Sequence, residues 1–98
     1  MSEAATDTKT SLDVDFPTIW GVRFLNDDYT PMDFVIAVLV QMFGQSEAQA
    51  TDITVKVHEE GEAVVGAYTK DIAMTKARDA VQAARNHGHP LRLDAVEI

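Results

Sequence analysis

One turn in this 98-residue chain concentrates hydrogen-bond acceptors. Asn26, Asp27 and Asp28 stand in succession, and Thr30-Pro31-Met32 follows them after a single tyrosine. An amide oxygen and two carboxylates in a row suit a cationic donor such as a protonated amino group. The same residue types also satisfy backbone groups in ordinary turns, so the residues alone leave a purely local role open. A calcium loop of the EF-hand type would need further oxygen ligands at fixed spacing and a terminal glutamate, which do not follow here.

The three histidines are the other candidates for chemistry. His58 ends a predicted helix, where a histidine is also favourable simply because it lies near the negative end of the helix dipole. His87 and His89 flank Gly88, and without supporting cysteine or carboxylate ligands they predict a turn rather than a metal site. An acid–base enzyme would have to pair His58 with a carboxylate of the acidic turn. No nucleophile motif, phosphate loop or metal signature accompanies them, so we expect no enzyme, no cofactor and no metal.

The helices that must position these side chains have recognisable ends. Thr30 can cap a first helix with Pro31 at its first position, and Asp33 can return a bond to the cap. Ser46 begins a second helix with a capping box, and Gly61 ends it. A third helix begins at Thr69 or Asp71 and carries an alanine-rich stripe, which is typical of close packing on a sheet.

Three strands complete the predicted fold. The first follows Thr18 and is rich in β-branched and aromatic residues, and the last alternates from Leu91 onward. The apolar run from Ala63 to Tyr68 predicts a central strand that is buried on both sides. The order β-α-α-β-α-β predicts a single α+β domain over residues 18–98, with the helices packed on one face of a three-stranded antiparallel sheet.

Composition excludes several classes of function. The formal net charge of −8 repels phosphate backbones, so we expect no nucleic-acid partner. The absence of cysteine excludes disulfides and thiolate catalysis. No apolar run approaches the length of a membrane span, and the first residues lack the pattern of a signal peptide, so we expect a cytoplasmic protein. We also expect it to be a monomer. Residues 1–17 predict a flexible N-terminal extension. Its alternating Leu12, Val14 and Phe16 also fit an extended segment that pairs with a sheet edge or a partner.

The run from Phe24 to Val35, which contains the acidic turn, resembles the ClpS family of proteolytic adaptors. The similarity covers about Trp20 to Val96, and its further matching positions are Ala50-Thr51, Val57-His58, Gly61, Gly66, Thr75-Lys76 and His89-Pro90-Leu91. The resemblance implies a bacterial adaptor without catalytic activity. Such proteins bind substrates whose N-terminal residue is Phe, Tyr, Trp or Leu, and deliver them to a ClpA-type AAA+ unfoldase that feeds the ClpP peptidase.

The resemblance also implies roles for individual residues. The α-amino group of the substrate would be bound by Asn26, Asp27 and His58. The pocket for the first side chain would be formed by Asp28, Thr30, Met32, Val35, Thr54, Val57 and Leu91. The Met32 position would exclude β-branched side chains. Asp71 and Lys76, both expected to be exposed, would contact the unfoldase, and the N-terminal extension would engage it during hand-off.

One pocket position departs from the family pattern, because Thr54 stands where the family usually has methionine. We expect its hydroxyl to bond back to the carbonyl of Ala50, and the smaller side chain to loosen the pocket wall. The rival hypothesis is a structural or ribosome-associated interaction domain without an amine pocket. The converging acceptors argue against it, because a scaffold does not need them.

Overall fold

The structure is a computed structural model, and it describes residues 18–98. Its elements follow the predicted order β-α-α-β-α-β. They are β1 (Trp20–Leu25), α1 (Met32–Phe43), α2 (Glu47–Glu60), β2 (Glu62–Tyr68), α3 (Lys70–Asn86) and β3 (Arg92–Glu97). The predicted α+β fold with a three-stranded antiparallel sheet is therefore confirmed. The predicted N-terminal extension, residues 1–17, lies outside the described residues.

The sheet has the order β2-β1-β3, so the first strand in the chain is the central one. The prediction that Ala63–Tyr68 forms a central strand buried on both sides is wrong. Along β2, Ala63 and Val65 are buried, whereas Val64 between them is 45% exposed. An edge strand with helices on one face buries only alternate side chains, and the run of uncharged residues hid this alternation.

The three helices cover one face of the sheet and form a continuous core with it. Phe24 of β1 is fully buried and packs edge-to-face on Phe43 of α1, with the ring centroids 5.1 Å apart. The predicted alanine stripe of α3 is buried at Ala73, Ala77, Ala80 and Ala84. Small side chains at these positions let the helix approach the sheet closely. The core thus fixes the end of β1, from which the acidic turn emerges.

Two of the three predicted helix starts are confirmed. Ser46 and Gln49 form the reciprocal capping box of α2, and the Thr69 hydroxyl accepts a hydrogen bond from the backbone N–H of Ile72. The predicted cap at Thr30 is wrong. Pro31 is the residue before α1, with extended backbone and no side-chain cap, and the Thr30 hydroxyl donates to Asp27 instead.

Within residues 18–98, no helix is both long and apolar enough to cross a membrane. In the same part of the chain, no three His, Cys, Asp or Glu side chains are grouped so that they could hold a metal ion.

Candidate functional site

A narrow cavity opens where β1 ends, and four chain segments form its walls. It holds about 340 Å³ of space not filled by atoms, its open mouth included. The segments are the end of β1 with the acidic turn, the first turn of α1, the second half of α2 and the residue that precedes β3. The side chains that line the cavity are Leu25, Asn26, Asp27, Thr30, Met32, Val35, Thr54, Val57, His58 and Leu91.

One backbone hydrogen bond brings together Asn26 and His58, two polar residues of the cavity that are far apart in the sequence. The N–H of Asn26 donates to the carbonyl of Gly61 over 2.9 Å. Gly61 is the left-handed residue that ends α2, and His58 lies in the last turn of that helix. The acidic turn is thereby held against the end of α2. Within residues 18–98 the Asn26 side chain makes no hydrogen bond, so its amide oxygen is available as an acceptor at this end of the cavity.

The carboxylate of Asp27 organises its own turn. One oxygen accepts the backbone N–H groups of Tyr29 and Thr30 over 2.8 and 2.7 Å, and the other accepts the Thr30 hydroxyl over 2.8 Å. Burial, the largest single influence, raises the pKa of this carboxyl, but the bonds from Thr30 and Tyr29 and the charge of Arg92 together lower it below its ordinary value. A carboxylate oxygen can accept two bonds, so the oxygen that holds the Thr30 hydroxyl keeps room for a further donor.

A lowered pKa makes the stability of the fold depend on pH in a defined direction. The unfolded chain binds more protons than the folded chain near the pKa of Asp27, so the ionised carboxylate stabilises the fold above the ordinary aspartate range. This contribution is lost as the pH falls through the folded-state pKa. We expect the difference in unfolding free energy between the native chain and Asp27→Asn to shrink from about pH 7 to about pH 3, measured by urea titration. An equal difference at both pH values would contradict this.

The rest of the cavity is apolar, apart from one hydroxyl group. Val35, Val57 and Leu91 are buried in its walls, whereas Met32 stands at the rim and is 42% exposed. Thr54 is buried, and its hydroxyl donates to the carbonyl of Ala50 over 2.7 Å, as the sequence predicts. This bond satisfies the hydroxyl inside its own helix, so the threonine presents only its methyl group and a smaller volume than methionine.

The structure brings together nine of the ten residues that the resemblance proposed for the amine and side-chain sites. Asp28 is the exception, because it is exposed and does not line the cavity. Leu25 lines the cavity and was missed. Leu25 is the last residue of β1, and by the alternation along the strand its side chain would face away from the helices. The strand pattern alone therefore gave no reason to place Leu25 in the cavity wall.

A comparison with known protein families shows which family has this sequence pattern. The family model described as ATP-dependent Clp protease adaptor protein ClpS matches residues 16–94. The chain belongs to the ClpS family.

Individual relatives agree with this assignment. The ClpS adapter protein of Deinococcus radiodurans is 44% identical over 94 residues, which cover 96% of this chain and 83% of that protein. The one from Helicobacter hepaticus is 43% identical over 97 residues, covering 97% of this chain and 98% of that protein. A solved structure of Agrobacterium tumefaciens ClpS2 bound to L-phenylalaninamide matches with a TM-score of 0.81 and 37% identity, covering 85% of this chain and 100% of that chain.

Asp71 and Lys76, which the resemblance to the ClpS family predicts to contact the unfoldase, have different surroundings. Asp71 is exposed in the first turn of α3, as predicted. The predicted exposure of Lys76 is wrong. Its ammonium group donates to the carbonyl of Met42 over 2.9 Å and lies 5.6 and 5.4 Å from the ring centroids of Phe43 and Tyr68. The side chain therefore ties α3 to the end of α1, with only part of its surface in contact with solvent.

Proposed function

We propose that this protein is an adaptor that binds the N-terminal residue of substrate proteins and delivers them to a Clp AAA+ unfoldase and protease. The first residue would be Phe, Tyr, Trp or Leu. The observation that carries the proposal is a largely apolar cavity with hydrogen-bond acceptors at one end. The similar ClpS2 structure holds L-phenylalaninamide, a ligand that combines a free amino group with an aromatic side chain.

The polar end of the cavity would bind the α-amino group. A protonated amine offers three N–H donors, which matches the three acceptors Asn26, Asp27 and His58. His58 accepts only through an unprotonated ring nitrogen. A substrate with an acetylated N-terminus supplies neither the charge nor the full set of donors. Each acceptor that is then left unpaired and desolvated costs about 1–3 kcal/mol.

The apolar part of the cavity would bind the first side chain. Burial of an aromatic or leucine side chain supplies most of the affinity, because such anchors in pockets dominate binding energies. Met32 at the rim narrows the entrance next to the Cβ of the ligand, which would exclude the branched side chains of Val and Ile. Thr30, Val35, Thr54, Val57 and Leu91 form the remaining walls in this proposal, and Asp28 lies outside the cavity.

Delivery would involve a surface that shares no residue with the cavity. In this proposal Asp71, with Lys76 beside it, contacts the N-terminal domain of a ClpA-type unfoldase, and residues 1–17 engage the unfoldase during hand-off. The adaptor acts as a cytoplasmic monomer and performs no catalysis, because the chemistry is left to the protease. A structural or ribosome-associated role has no specific support, because it gives no reason for acceptors to converge on an apolar cavity.

The deciding experiment compares three labelled peptides by fluorescence anisotropy. One begins with a free Phe, the second is the same peptide acetylated, and the third begins with Val. We expect the free Phe peptide to bind at least about tenfold more tightly than either of the others, which corresponds to about 1.4 kcal/mol or more. Equal binding of all three, or of none, would contradict the proposal and favour the interaction domain without an amine pocket.

Threonine at position 54 predicts that the protein prefers substrates that begin with a large aromatic residue over those that begin with Leu. A smaller wall residue leaves more room for large aromatic side chains and makes fewer contacts with leucine. Thr54→Met is expected to lower the ratio of Phe to Leu affinity about fourfold, since a buried methylene is worth about 0.8 kcal/mol. The measurement is the anisotropy titration of Phe and Leu peptides against native and variant protein.

Thr51→Met is the matched control for this substitution. Thr51 lies one turn earlier in α2, is exposed, and bonds back to the carbonyl of Glu47 over 2.9 Å as Thr54 does to Ala50. The control should leave the ratio unchanged. The same ratio in the native protein and in Thr54→Met would refute the assignment of Thr54 to the specificity wall.

A further inference from the structure

The chain carries sulfur only in methionine, and one methionine lines the cavity. There are four methionines and no cysteine among the 98 residues. Met32 is the first residue of α1, and its side chain forms part of the cavity wall. An oxidant that reaches this protein therefore meets thioether groups rather than thiols, and a thioether is oxidised reversibly to a sulfoxide.

Met32 is the apolar side chain of the cavity that a small oxidant reaches most easily. Among the residues that line the cavity, Met32 and His58 are exposed, and the others are buried or partly buried. Met32 is 42% exposed, whereas Val35 and Leu91 in the same walls are 6% and 1% exposed. The exposed sulfur residue and the binding cavity therefore coincide at one position.

The other two methionines of residues 18–98 serve as internal comparisons. Met74 of α3 is 51% exposed, but it does not line the cavity. Met42, near the end of α1, is partly buried and packs against the core. We therefore expect an oxidant to reach Met32 and Met74 faster than Met42, and only the reaction at Met32 to alter the cavity.

An oxygen on the sulfur of Met32 would change the chemistry of the cavity wall. A sulfoxide is polar and accepts hydrogen bonds without donating any. The two hydroxyl groups of the lining already donate elsewhere, from Thr30 to Asp27 over 2.8 Å and from Thr54 to the carbonyl of Ala50 over 2.7 Å. Water would solvate the added oxygen in the free protein, and a ligand side chain that displaces this water would leave the oxygen without a donor.

The remaining donors of the lining do not remove this conflict. They belong to the side-chain amide of Asn26 and the ring of His58. The proposed function assigns both residues to the α-amino group of the substrate. A sulfoxide that bonds to either of them therefore competes with the substrate, so both arrangements weaken binding.

We propose that oxidation of Met32 to its sulfoxide weakens recognition of the N-terminal residue of the substrate, and that reduction restores it. With hydrogen peroxide, the sulfur lone pair attacks one oxygen, the O–O bond breaks, and the proton of the transferred oxygen passes to the departing hydroxide, which becomes water. Methionine sulfoxide reductases reverse the step. A dithiol supplies the two electrons and becomes a disulfide, and the oxygen leaves as water. The inference rests on the proposed function, because it assumes that the first side chain of the substrate lies against Met32.

The test compares each protein with itself before and after limited treatment with hydrogen peroxide. Peptide mapping by mass spectrometry measures the sulfoxide at each methionine, and fluorescence anisotropy measures the affinity for a free Phe peptide that lacks methionine. We expect the affinity of the native chain to fall at least about tenfold once Met32 is oxidised, because a polar oxygen that loses its water without a new hydrogen bond weakens binding by about that factor. The two reductases, one for each sulfoxide epimer, should restore the affinity.

Two variants assign the effect to one sulfur atom. Met74→Leu removes a more exposed methionine outside the cavity, and it should lose affinity on oxidation as the native chain does. Met32→Leu has its own starting affinity, because position 32 borders the ligand in the proposed function. Peroxide should leave that starting affinity unchanged.

Protection by the ligand gives a second measurement that needs no variant. A free Phe peptide at about ten times its dissociation constant should slow the oxidation of Met32 about five- to tenfold, because about nine-tenths of the protein is then occupied. The oxidation of Met74 should proceed at its original rate. The acetylated peptide at the same concentration should protect neither methionine.

Four outcomes would overturn the inference. An unchanged affinity after complete conversion of Met32 shows that the sulfoxide is tolerated. A loss of the same size in Met32→Leu assigns the effect to another group. Equal protection of Met32 and Met74 shows that the ligand does not cover Met32. If the untreated native protein binds no free Phe peptide, the proposed function fails before any oxidant is added, and the inference fails with it.

Discussion

Asp27→Asn is expected to weaken the binding of a free Phe peptide by about ten- to a hundredfold. Asparagine keeps the size of the side chain and one accepting oxygen, but it removes the charge that the proposed function places next to the substrate ammonium. Hydrogen bonds to charged groups contribute about 1.5–3 kcal/mol, and about 1.4 kcal/mol corresponds to a tenfold change in affinity. The effect should exceed that of any single change in the apolar wall that only alters volume, because an uncharged partner leaves the ammonium desolvated without compensation.

Asp28→Asn is the matched control for the loss of charge at Asp27. Asp28 is the next residue, carries the same group and lies outside the cavity. Its substitution should change affinity less than about threefold, as expected of an exposed charge. Thermal unfolding of each variant separates a loss of binding from a loss of the turn. If both substitutions weaken binding equally, the turn acts through its net charge and the assignment of Asp27 is wrong.

The acidic turn could be predicted from the sequence because its information is local. Asn26 and the residues after it are turn formers next to a clear strand, and the capping box at Ser46 fixes where α2 begins. The meeting of Asn26 with His58 depends instead on one long-range bond, from the N–H of Asn26 to the carbonyl of Gly61. Residue types alone did not predict that bond, and the family resemblance supplied the pairing.

The wrong predictions share a physical cause, which is competition between alternative partners. The hydroxyl of Thr30 could cap α1, but the nearby Asp27 carboxylate is a stronger acceptor and takes it. The ammonium of Lys76 could extend into water, but the carbonyl of Met42 at the end of α1 offers it an acceptor beside two aromatic rings. Sequence patterns indicate which partners are available, whereas tertiary packing decides between them.

The strands also show that sequence patterns alone do not determine the tertiary packing. The run from Ala63 to Tyr68 contains no charge, so it gives no sign that every second side chain faces solvent. The coverage of only one sheet face by the helices decides this, and it applies to the central strand too, where Val22 and Phe24 are buried and Arg23 is not. Strand order in turn follows from pairing across the whole chain, with Arg23 opposite Val64 on one side and Asp94 on the other. The placement of β1 in the centre matters for function, because the acidic turn then begins from the most constrained strand of the sheet.

Phe24→Ala is expected to lower the free energy of unfolding by about 3–5 kcal/mol, because it removes a large buried ring and leaves a cavity. Phe24 is fully buried, packs on Phe43, and stands two residues before Asn26 in β1. A domain of this size is stable by only about 5–15 kcal/mol, so the variant should be partly unfolded at moderate temperature. Urea denaturation followed by circular dichroism measures the change.

We expect a ligand bound at the proposed site to offset part of this loss of stability. A ligand that binds only the folded state stabilises it by about 2.7 kcal/mol at a concentration of 100 times its dissociation constant. A free Phe peptide at that excess should therefore restore much of the stability of Phe24→Ala, and the acetylated peptide at the same concentration should not.

The control variant is Val64→Ala, on the exposed face of β2, which should change the stability by less than about 1 kcal/mol. Equal losses in Phe24→Ala and Val64→Ala, or equal rescue by the two peptides, would contradict the coupling between the core, the acidic turn and the cavity.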